Sequence, residues 1–217
     1  MPNPAIRAVL WDFGGVMTES PFPAFRRFEV ERGLPADFLR GINARDPDHN
    51  AWARFERSEL SPVQFDEVFA AETRAAGHEV RGLDVIDLLY GEVRPTMVAA
   101  LKACKRHFIN ACVTNNVRAG PGRGFERDPG RAGEWAGIFD LFDVVIESSR
   151  IGVRKPEIRF FERACAQLGI AASEAVYLDD LGTNLKPART MGMHTIKVED
   201  PAIAIAELES VLEISLN

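Results

Sequence analysis

The sequence predicts an α/β protein: a parallel β-sheet with helices on both faces and a helical cap domain inserted after the first strand. Short apolar runs alternate with helical patterns along most of the chain, which is the order expected of a parallel sheet. Directly after the first run, roughly seventy residues of helical pattern interrupt this alternation. With 217 residues, 46% of them hydrophobic, the chain is long enough for one large domain and a small accessory one.

The core elements are predicted from apolar runs and from residues that begin or end helices. Proline is favoured in the first turn of a helix and glycine just past its last turn. The runs predict strands at residues 5–11, 108–113, 144–147, 175–178 and 194–198. The helix signals predict helices at 96–106 (opened by Pro95), 157–168 (opened by Pro156, ended by Gly169), 186–191 (ended by Gly192) and 202–216.

Residues 17–90 are predicted to form the cap, and residues 1–16 with 91–217 the Rossmann-like core. Ser61 followed by Pro62 is an N-cap and first-turn pair, which opens a helix through Ala76. An aromatic and apolar stripe is interpreted as the core of the cap, with the alternative that some rings line an apolar substrate cleft. The stripe comprises Phe22, Phe25, Phe28, Val30, Trp52, Phe55, Phe65, Val68 and Phe69.

Charge and cysteine content restrict the class of protein. The formal net charge is −6, so a nucleic-acid backbone is not an expected partner. Three cysteines without metal-site spacing (Cys104, Cys112 and Cys165) are interpreted as reduced core thiols. We find neither a signal peptide nor an apolar stretch long enough to cross a bilayer. We therefore expect a cytoplasmic protein without a membrane partner, and the oligomeric state stays open.

Residues 118–137 form a second irregular segment, with six glycines and two prolines. This composition predicts a mobile loop near the mouth of the pocket. It is either a solvent-exposed loop without a role in the site or a flap whose arginines attract anions. These arginines are Arg118, Arg123, Arg127 and Arg131.

Polar groups occur at or just after the ends of several apolar runs, where parallel sheets present reactive side chains. Asp12 ends the first run and two glycines follow it closely. A carboxylate attacks a phosphate poorly because both are anions, and a bridging divalent cation removes this repulsion. Oxygen ligands favour Mg²⁺. We expect Asp12, Asp180 and the backbone carbonyl of Gly14 to bind the metal, supported by Asp179 and Asn184, the latter through a metal-bound water.

Three further residues complete the predicted site. Lys155 offers a point charge for the phosphate and for the crowded carboxylates. Thr114 and Asn115 can donate hydrogen bonds to phosphoryl oxygens. Each residue also has an interpretation without a catalytic role. Lys155 could be a surface lysine, and Thr114 and Asn115 could form a turn that caps the next element. Together the set indicates phosphoryl transfer through an aspartyl phosphate.

The chain resembles the haloacid dehalogenase superfamily in its phosphatase branch, and is similar to the N-terminal phosphatase domain of soluble epoxide hydrolase. The resemblance covers nearly the whole chain and is carried by the segments at 11–16, 113–116, 147–156 and 177–189. It implies a Rossmann-like core, Asp12 as nucleophile, Mg²⁺ as cofactor and a helical cap that selects a small phosphorylated substrate.

Gly14 departs from the pattern of the phosphatases that the chain resembles. They usually carry an aspartate two residues after the nucleophile, as general acid and base, and loss of such a group typically costs on the order of 10²–10⁴ in rate. Either Thr18, Glu19 or His49 substitutes for it, or the enzyme is slow and favours aryl or acyl phosphates. Two alternatives stay open: a phosphate-binding or scaffolding module without turnover, and a metal-free 2-haloacid dehalogenase. The carboxylate pair at 179–180 argues against the second.

Overall fold

The computed structural model describes residues 2–115 and 129–216, with side chains from 133 onward in the second range. Its sheet has five parallel strands in the order β3-β2-β1-β4-β5. The α/β fold with a parallel sheet is therefore confirmed. The strands are β1 (Ala8–Trp11), β2 (Ile109–Thr114), β3 (Val144–Glu147), β4 (Ala175–Asp179) and β5 (His194–Lys197).

β1 lies at the centre of the sheet, between β2 and β4. Its residues are all buried, and Trp11 is in register with Cys112 on one side and Leu178 on the other. Val9 and Trp11 contribute to the hydrophobic cluster on one face of the sheet, and Ala8 and Leu10 to the cluster on the other. Both faces are covered, which explains why the strands are continuous apolar runs. The arrangement brings the end of β1 beside the ends of β2 and β4.

Helices flank the strands along the chain. Between β1 and β2 lie α1 (Phe22–Glu31), α2 (Phe38–Ala44), α3 (Ala51–Glu56), α4 (Pro62–Ala75), α5 (Gly82–Ile86) and α6 (Pro95–Cys104). The later helices are α7 (Pro129–Phe139), α8 (Ser148–Ile151), α9 (Ile158–Leu168), α10 (Gly182–Thr190) and α11 (Pro201–Leu212).

Several predicted helix ends agree with the structure. Ser61 caps α4: its side chain accepts from the backbone N–H of Gln64, and the Gln64 side chain accepts from the backbone N–H of Ser61. Gly169 ends α9 in the left-handed conformation, with φ 65°. Pro95 is the first residue of α6. These ends follow local backbone chemistry, which sequence patterns carry well.

Other predicted boundaries are wrong. Pro156 does not open α9, because Glu157 is the N-cap residue and the helix begins at Ile158. α10 begins at Gly182, four residues before the predicted start, and continues through Pro187, which lies beyond its first turn. Residues 129–137, predicted as loop, belong to α7. Residues 116–128 lie outside the described residues, together with Asn116, Arg118, Arg123 and Arg127, and so does the side chain of Arg131.

The inserted helices have a hydrophobic cluster of their own. Phe55 stacks on Phe65, with ring centroids 4.3 Å apart, and Phe69 packs on Phe65 at 5.4 Å. Val30, predicted to belong to this stripe, is instead 81% exposed. Most of the predicted stripe is therefore the core of the inserted helices. The exact domain division, 17–90 against the rest, remains our proposal.

The two connections between the inserted helices and the core lie side by side. Thr18 and Val93 form an antiparallel bridge, and the backbone N–H of Arg94 donates to the Met17 carbonyl at 2.8 Å. A Cβ on Gly91 would collide with the backbone carbonyl of Glu19, so this close approach requires glycine. All three cysteines are buried and free. Among the described residues we find no helix long and apolar enough to cross a membrane.

Candidate active site

Asp12 follows β1 directly, at the carboxyl edge of the sheet. Its carboxylate is buried, and two donors bind the same oxygen. The backbone N–H of Phe13 donates to Oδ1 at 2.7 Å, and Lys155 Nζ lies 2.8 Å from it. These donors fix the orientation of the carboxylate at the strand end.

Two further carboxylates lie beside Asp12. Asp179 is the last residue of β4 and Asp180 follows it. Asp12, Asp179 and Asp180 each present an oxygen, and these oxygens lie within 4.8 Å of one another. The structure thus brings together side chains that are more than 160 positions apart in the chain, as the positions of β1 and β4 in the sheet require.

Lys155 lies among these carboxylates. The Nζ atom is 2.8 Å from Asp12 and 2.8 Å from Asp179, and the residue is only 1% exposed. Lys155 is therefore not a surface lysine, which is the alternative interpretation of its sequence position. When all three carboxylates are ionised, the one ammonium leaves two negative charges uncompensated in this space. A single divalent cation would neutralise that charge.

Burial and charge crowding shift the ionisation of the cluster. Burial raises the pKa of Asp12 well above its ordinary value, Lys155 opposes the rise, and the charges of Asp179 and Asp180 add to it. Burial, together with the charge of Asp179, raises the pKa of Asp180 to about 6. Burial alone would lower the pKa of Lys155, but the charges of Asp12 and Asp179 raise it above its ordinary value. Lys155 is therefore charged at neutral pH.

Asp179 is held by donors on several sides. Lys155 Nζ and the Tyr177 hydroxyl bind Oδ2, and the backbone N–H of Leu181 donates to Oδ1 at 2.8 Å. Asn184 Nδ2 lies 3.1 Å from both oxygens. In this arrangement Asn184 orients Asp179, a different contact from the metal-bound water that the sequence predicts for it.

Thr114 and Asn115 end the neighbouring strand β2. Thr114 is its last residue and is buried. Asn115 Nδ2 donates to the Lys155 carbonyl at 2.9 Å and to Glu56 Oε2 at 3.2 Å, while its Oδ1 accepts from the Lys155 N–H at 2.8 Å. Both N–H donors of this amide are thus engaged within the protein. The predicted phosphate contact would then fall to Thr114 and to backbone N–H groups.

The three candidates for the missing acid are bonded elsewhere. The Thr18 hydroxyl donates to the Glu19 carbonyl at 3.3 Å, and the Glu19 carboxylate pairs with Arg94. His49 is exposed and lies 3.0 Å from Asp46. These contacts give no support to any of them as a substitute for an acid at position 14.

Gly14 and Gly15 are adjacent but differ in their surroundings. A Cβ on Gly14 would meet nothing within 4 Å, whereas a Cβ on Gly15 would overlap the carboxyl group of Asp180. Gly15 also has a φ of 77°, in the left-handed region that favours glycine. Gly15 thus lets the backbone pass close to Asp180. In the sequence, the pair of glycines after Asp12 indicates a turn but not this close approach.

Replacement of Gly15 by alanine is expected to displace Asp180 and weaken Mg²⁺ binding about 10–100-fold, the usual cost of disturbing the support of a metal ligand. Isothermal titration with Mg²⁺ measures this. Gly33→Ala is the matched control, since Gly33 has a φ of 63° but no atom near its Cβ. Both variants carry a backbone strain of about 1–2 kcal/mol. Equal Mg²⁺ affinity in the two variants would contradict the role of Gly15.

Two other contacts at the site have no local sequence signal. Ser20, in the connection to the inserted helices, donates its hydroxyl to Asp180 Oδ2 at 3.3 Å. Glu56, on α3, is buried against Asn115 and Arg154. Both residues come from the inserted segment and reach the edge of the sheet. Only the folded structure shows that they do so.

The donor set fits a hard divalent cation. The ligand atoms are carboxylate oxygens, the kind that Mg²⁺ prefers, and the uncompensated charge matches that of one such ion. Asp12 and Asp180 would bind it with the Gly14 carbonyl, while Asp179 would stay with its hydrogen-bond donors.

Asp180→Asn is expected to stabilise the metal-free protein by about 1–3 kcal/mol near pH 8, because each unit of pKa shift is worth about 1.4 kcal/mol. In the folded protein the pKa of Asp180 is raised, so ionised Asp180 lowers the stability of the wild type. This loss of stability grows as pH rises from the unfolded pKa to about 6 and is absent at lower pH. Thermal unfolding in a chelator tests this. Added Mg²⁺ should then stabilise the wild type and not the variant. A variant that is less stable without metal, yet still stabilised by Mg²⁺, would contradict this account of the cluster.

The fold and the cluster together define a class of enzyme, in which reactive carboxylates lie at the carboxyl edge of a parallel sheet. A model of the haloacid dehalogenase-like hydrolase family matches residues 6–192. The chain belongs to this family of hydrolases. This confirms the resemblance found in the sequence.

Curated relatives agree with this assignment. The chain is 33% identical to acyl-CoA dehydrogenase family member 10 and 32% identical to bifunctional epoxide hydrolase 2, both from Mus musculus, over 97% and 95% of its length. It spans only 20% and 39% of those two proteins. It is also 25% identical to the sesquiterpene phosphatase astK of Aspergillus oryzae, over 95% of this chain and 96% of that protein.

A solved structure has the same fold. A haloacid dehalogenase family enzyme from Bacteroides thetaiotaomicron, in complex with magnesium and inorganic phosphate, superposes with a TM-score of 0.58 and 19% identity. The match covers 90% of this chain and 96% of the other. At 19% identity this comparison by itself supports a shared fold and nothing more.

Proposed function

We propose that the chain is a Mg²⁺-dependent phosphomonoester hydrolase that acts on a small phosphorylated metabolite through an aspartyl phosphate on Asp12. The main observation behind this proposal is that three carboxylates and one buried lysine lie together at the end of the central strand. Two comparisons support the same reaction. One is with the sesquiterpene phosphatase, which the chain matches over 96% of that protein's length, and the other is with the solved structure that holds magnesium and inorganic phosphate.

The proposed first step is attack by a carboxylate oxygen of Asp12 on phosphorus. A bond forms between that oxygen and phosphorus, and the bond from phosphorus to the leaving oxygen breaks. Bound Mg²⁺ would supply charge neutralisation between the two anions. Lys155 holds the Asp12 carboxylate in place and adds a positive charge beside it. The Thr114 hydroxyl and backbone N–H groups after β2 would orient the phosphoryl oxygens.

In the second step a water molecule attacks phosphorus and releases inorganic phosphate, so that the Asp12 carboxylate is restored. With an alkyl phosphate both steps need proton transfer, to the leaving oxygen in the first and from the water in the second. With an aryl or acyl phosphate only the second step does. Gly14 provides no group for either transfer, and the other three candidates are bonded elsewhere. We therefore propose that substrates whose leaving group needs no proton, aryl and acyl phosphates, react faster than alkyl phosphates.

Turnover of p-nitrophenyl phosphate by the purified protein tests this function. Hydrolysis should require Mg²⁺, stop on addition of a chelator and return when the metal is restored. An acyl phosphate should be hydrolysed faster than an alkyl phosphate of similar size. Hydrolysis that continues in the chelator would contradict the role of the metal, and activity on a 2-haloacid under those conditions would favour a dehalogenase.

One observation favours a second function, that of a phosphate-binding module without turnover. Gly14 removes the usual proton donor, while the rest of the predicted site remains. Under this alternative, inorganic phosphate would bind in the presence of Mg²⁺ but none of the phosphate esters would be hydrolysed. Titration with inorganic phosphate beside the turnover assay separates the two.

A further inference from the structure

We infer that Glu56, on an inserted helix, is a positioning residue that holds Lys155 in place through Asn115 and Arg154. The inference rests on the proposed function, since it assigns to Glu56 a part in that reaction. Glu56 lies outside the carboxylate cluster, and a chain of contacts leads from α3 to the nucleophile.

The first link joins α3 to the core. Glu56 is the last residue of α3 and is 7% exposed. Its Oε2 binds Arg154 Nε and accepts from Asn115 Nδ2 at 3.2 Å, and its Oε1 accepts from Trp52 Nε1 at 3.0 Å. Its backbone carbonyl accepts from the Ser148 hydroxyl at 2.7 Å. Glu56 therefore ties an inserted helix to the segments that follow β2 and β3.

The second link joins Asn115 to Lys155. The Asn115 amide binds both backbone groups of Lys155, its N–H at 2.8 Å and its carbonyl at 2.9 Å. Arg154, the other partner of Glu56, is the residue before Lys155 in the chain. Glu56 thus supports the Lys155 backbone from two sides. The Lys155 ammonium in turn contacts Asp12 and Asp179.

The energetics favour a positioning role over a purely stabilising one. Burial raises the pKa of Glu56, and Arg154 opposes the rise, so this carboxylate is costly to bury and depends on its partner. Buried ion pairs often contribute little net stability compared with apolar residues of similar size. They do fix geometry, and Lys155 must be placed accurately to neutralise charge at Asp12. A misplacement of about 1 Å can cost on the order of 10²-fold in rate.

Glu56→Ala is expected to lower kcat for p-nitrophenyl phosphate about 10–100-fold while KM changes much less. Glu56→Gln keeps an oxygen acceptor but loses the charge that Arg154 pairs with, so its kcat should lie between those of Glu56→Ala and the wild type. Because Glu56 and Asn115 act through the same support, the effects of Glu56→Ala and Asn115→Ala should be non-additive in a double-mutant cycle.

Glu72→Ala is the matched control. Glu72 lies on α4 and accepts from the backbone N–H of Ala51, the first residue of α3, at 2.7 Å. It therefore anchors the end of α3 opposite to Glu56, and no contact with the Lys155 segment is involved. The Glu72→Ala variant should be less stable than the wild type but have the same kcat. If Glu56→Ala does not fold, the nearly isosteric Glu56→Gln still tests the inference through the same comparison.

Amide hydrogen exchange gives a readout that does not depend on activity. The Lys155 N–H, bound to Asn115 Oδ1, should exchange faster in Glu56→Ala than in Glu72→Ala. Unchanged exchange and a kcat equal to that of Glu72→Ala would overturn the inference. An inactive wild type in which Glu56→Ala still raises exchange at Lys155 would overturn the proposed function and leave the positioning contact standing.

Discussion

Gly14→Asp is expected to accelerate hydrolysis of alkyl phosphates by about 10²–10⁴-fold, the usual contribution of a positioned general acid and base. The backbone tolerates a side chain here, because a Cβ at this position meets nothing within 4 Å. Position 14 is two residues past Asp12, the proposed nucleophile, and the phosphatases that the chain resembles usually carry an aspartate there. In kcat/KM, which reports on transfer of the phosphoryl group to the enzyme, acyl phosphates should gain much less, since their leaving group needs no proton.

Gly14→Asn is the matched control for this variant. Asparagine has almost the same size and shape as aspartate but cannot transfer a proton, so it should not accelerate the reaction. The measurement is kcat/KM for an alkyl and an acyl phosphate with each protein. Equal rates for Gly14→Asp and Gly14→Asn would show that the missing acid does not limit turnover. The aspartate also adds a charge beside a cluster that already has excess negative charge, so the metal-free variant should be less stable.

Asp12→Asn is expected to abolish phosphatase activity, with a loss of about 10⁴-fold or more, as is usual when a nucleophile is removed. Asparagine is similar in size and keeps an acceptor for the Phe13 N–H and Lys155 Nζ, but its amide cannot carry the phosphoryl group. The fold should therefore survive while the covalent step is lost. Steady-state turnover with p-nitrophenyl phosphate and Mg²⁺ measures the effect.

Asp143→Asn controls for the loss of one carboxylate. Asp143 precedes β3 and pairs with Lys105, at the opposite end of the strands from Asp12. Its replacement should leave turnover unchanged. Substantial activity in Asp12→Asn, well above that of a chelated sample, would exclude Asp12 as the nucleophile.

The sheet could be predicted because its strands are local apolar runs. Each of the five predicted runs overlaps a strand of the structure, and no strand end is displaced by more than three residues. The order of the strands does not follow from these runs, since it depends on pairing between distant segments. It is this order, with β1 beside β4, that brings Asp12 to Asp179 and Asp180.

The helix boundaries that failed have physical reasons. Pro187 favours a helix that starts just before it, yet α10 begins earlier and accommodates it internally. Residues 129–137 are rich in glycine, which favours loops, but Trp135, Ile138 and Phe139 pack against the core and stabilise α7. Tertiary packing can thus override local propensity.

The residues of the site were predictable in position and less so in role. Asp12 and the pair at 179–180 lie together because strand ends of a parallel sheet meet at one edge. Lys155 reaches the same edge from the segment that follows β3 and α8. The amide of Asn115, by contrast, binds Lys155 and Glu56, which are 40 and 59 positions away in the chain. No local pattern carries such contacts. The same holds for Ser20 and Asp180, which are 160 positions apart.

The most direct test of the mechanism is mass spectrometry of protein quenched in acid during turnover of an acyl or aryl phosphate with Mg²⁺. Slow hydrolysis of the covalent intermediate should let phosphoprotein accumulate, with the added phosphoryl group on the peptide that contains Asp12. A variant with aspartate at position 14 should accumulate less of it. If turnover proceeds while no quenched sample carries a phosphoryl group on Asp12, the carboxylate does not form the covalent bond on which the mechanism depends.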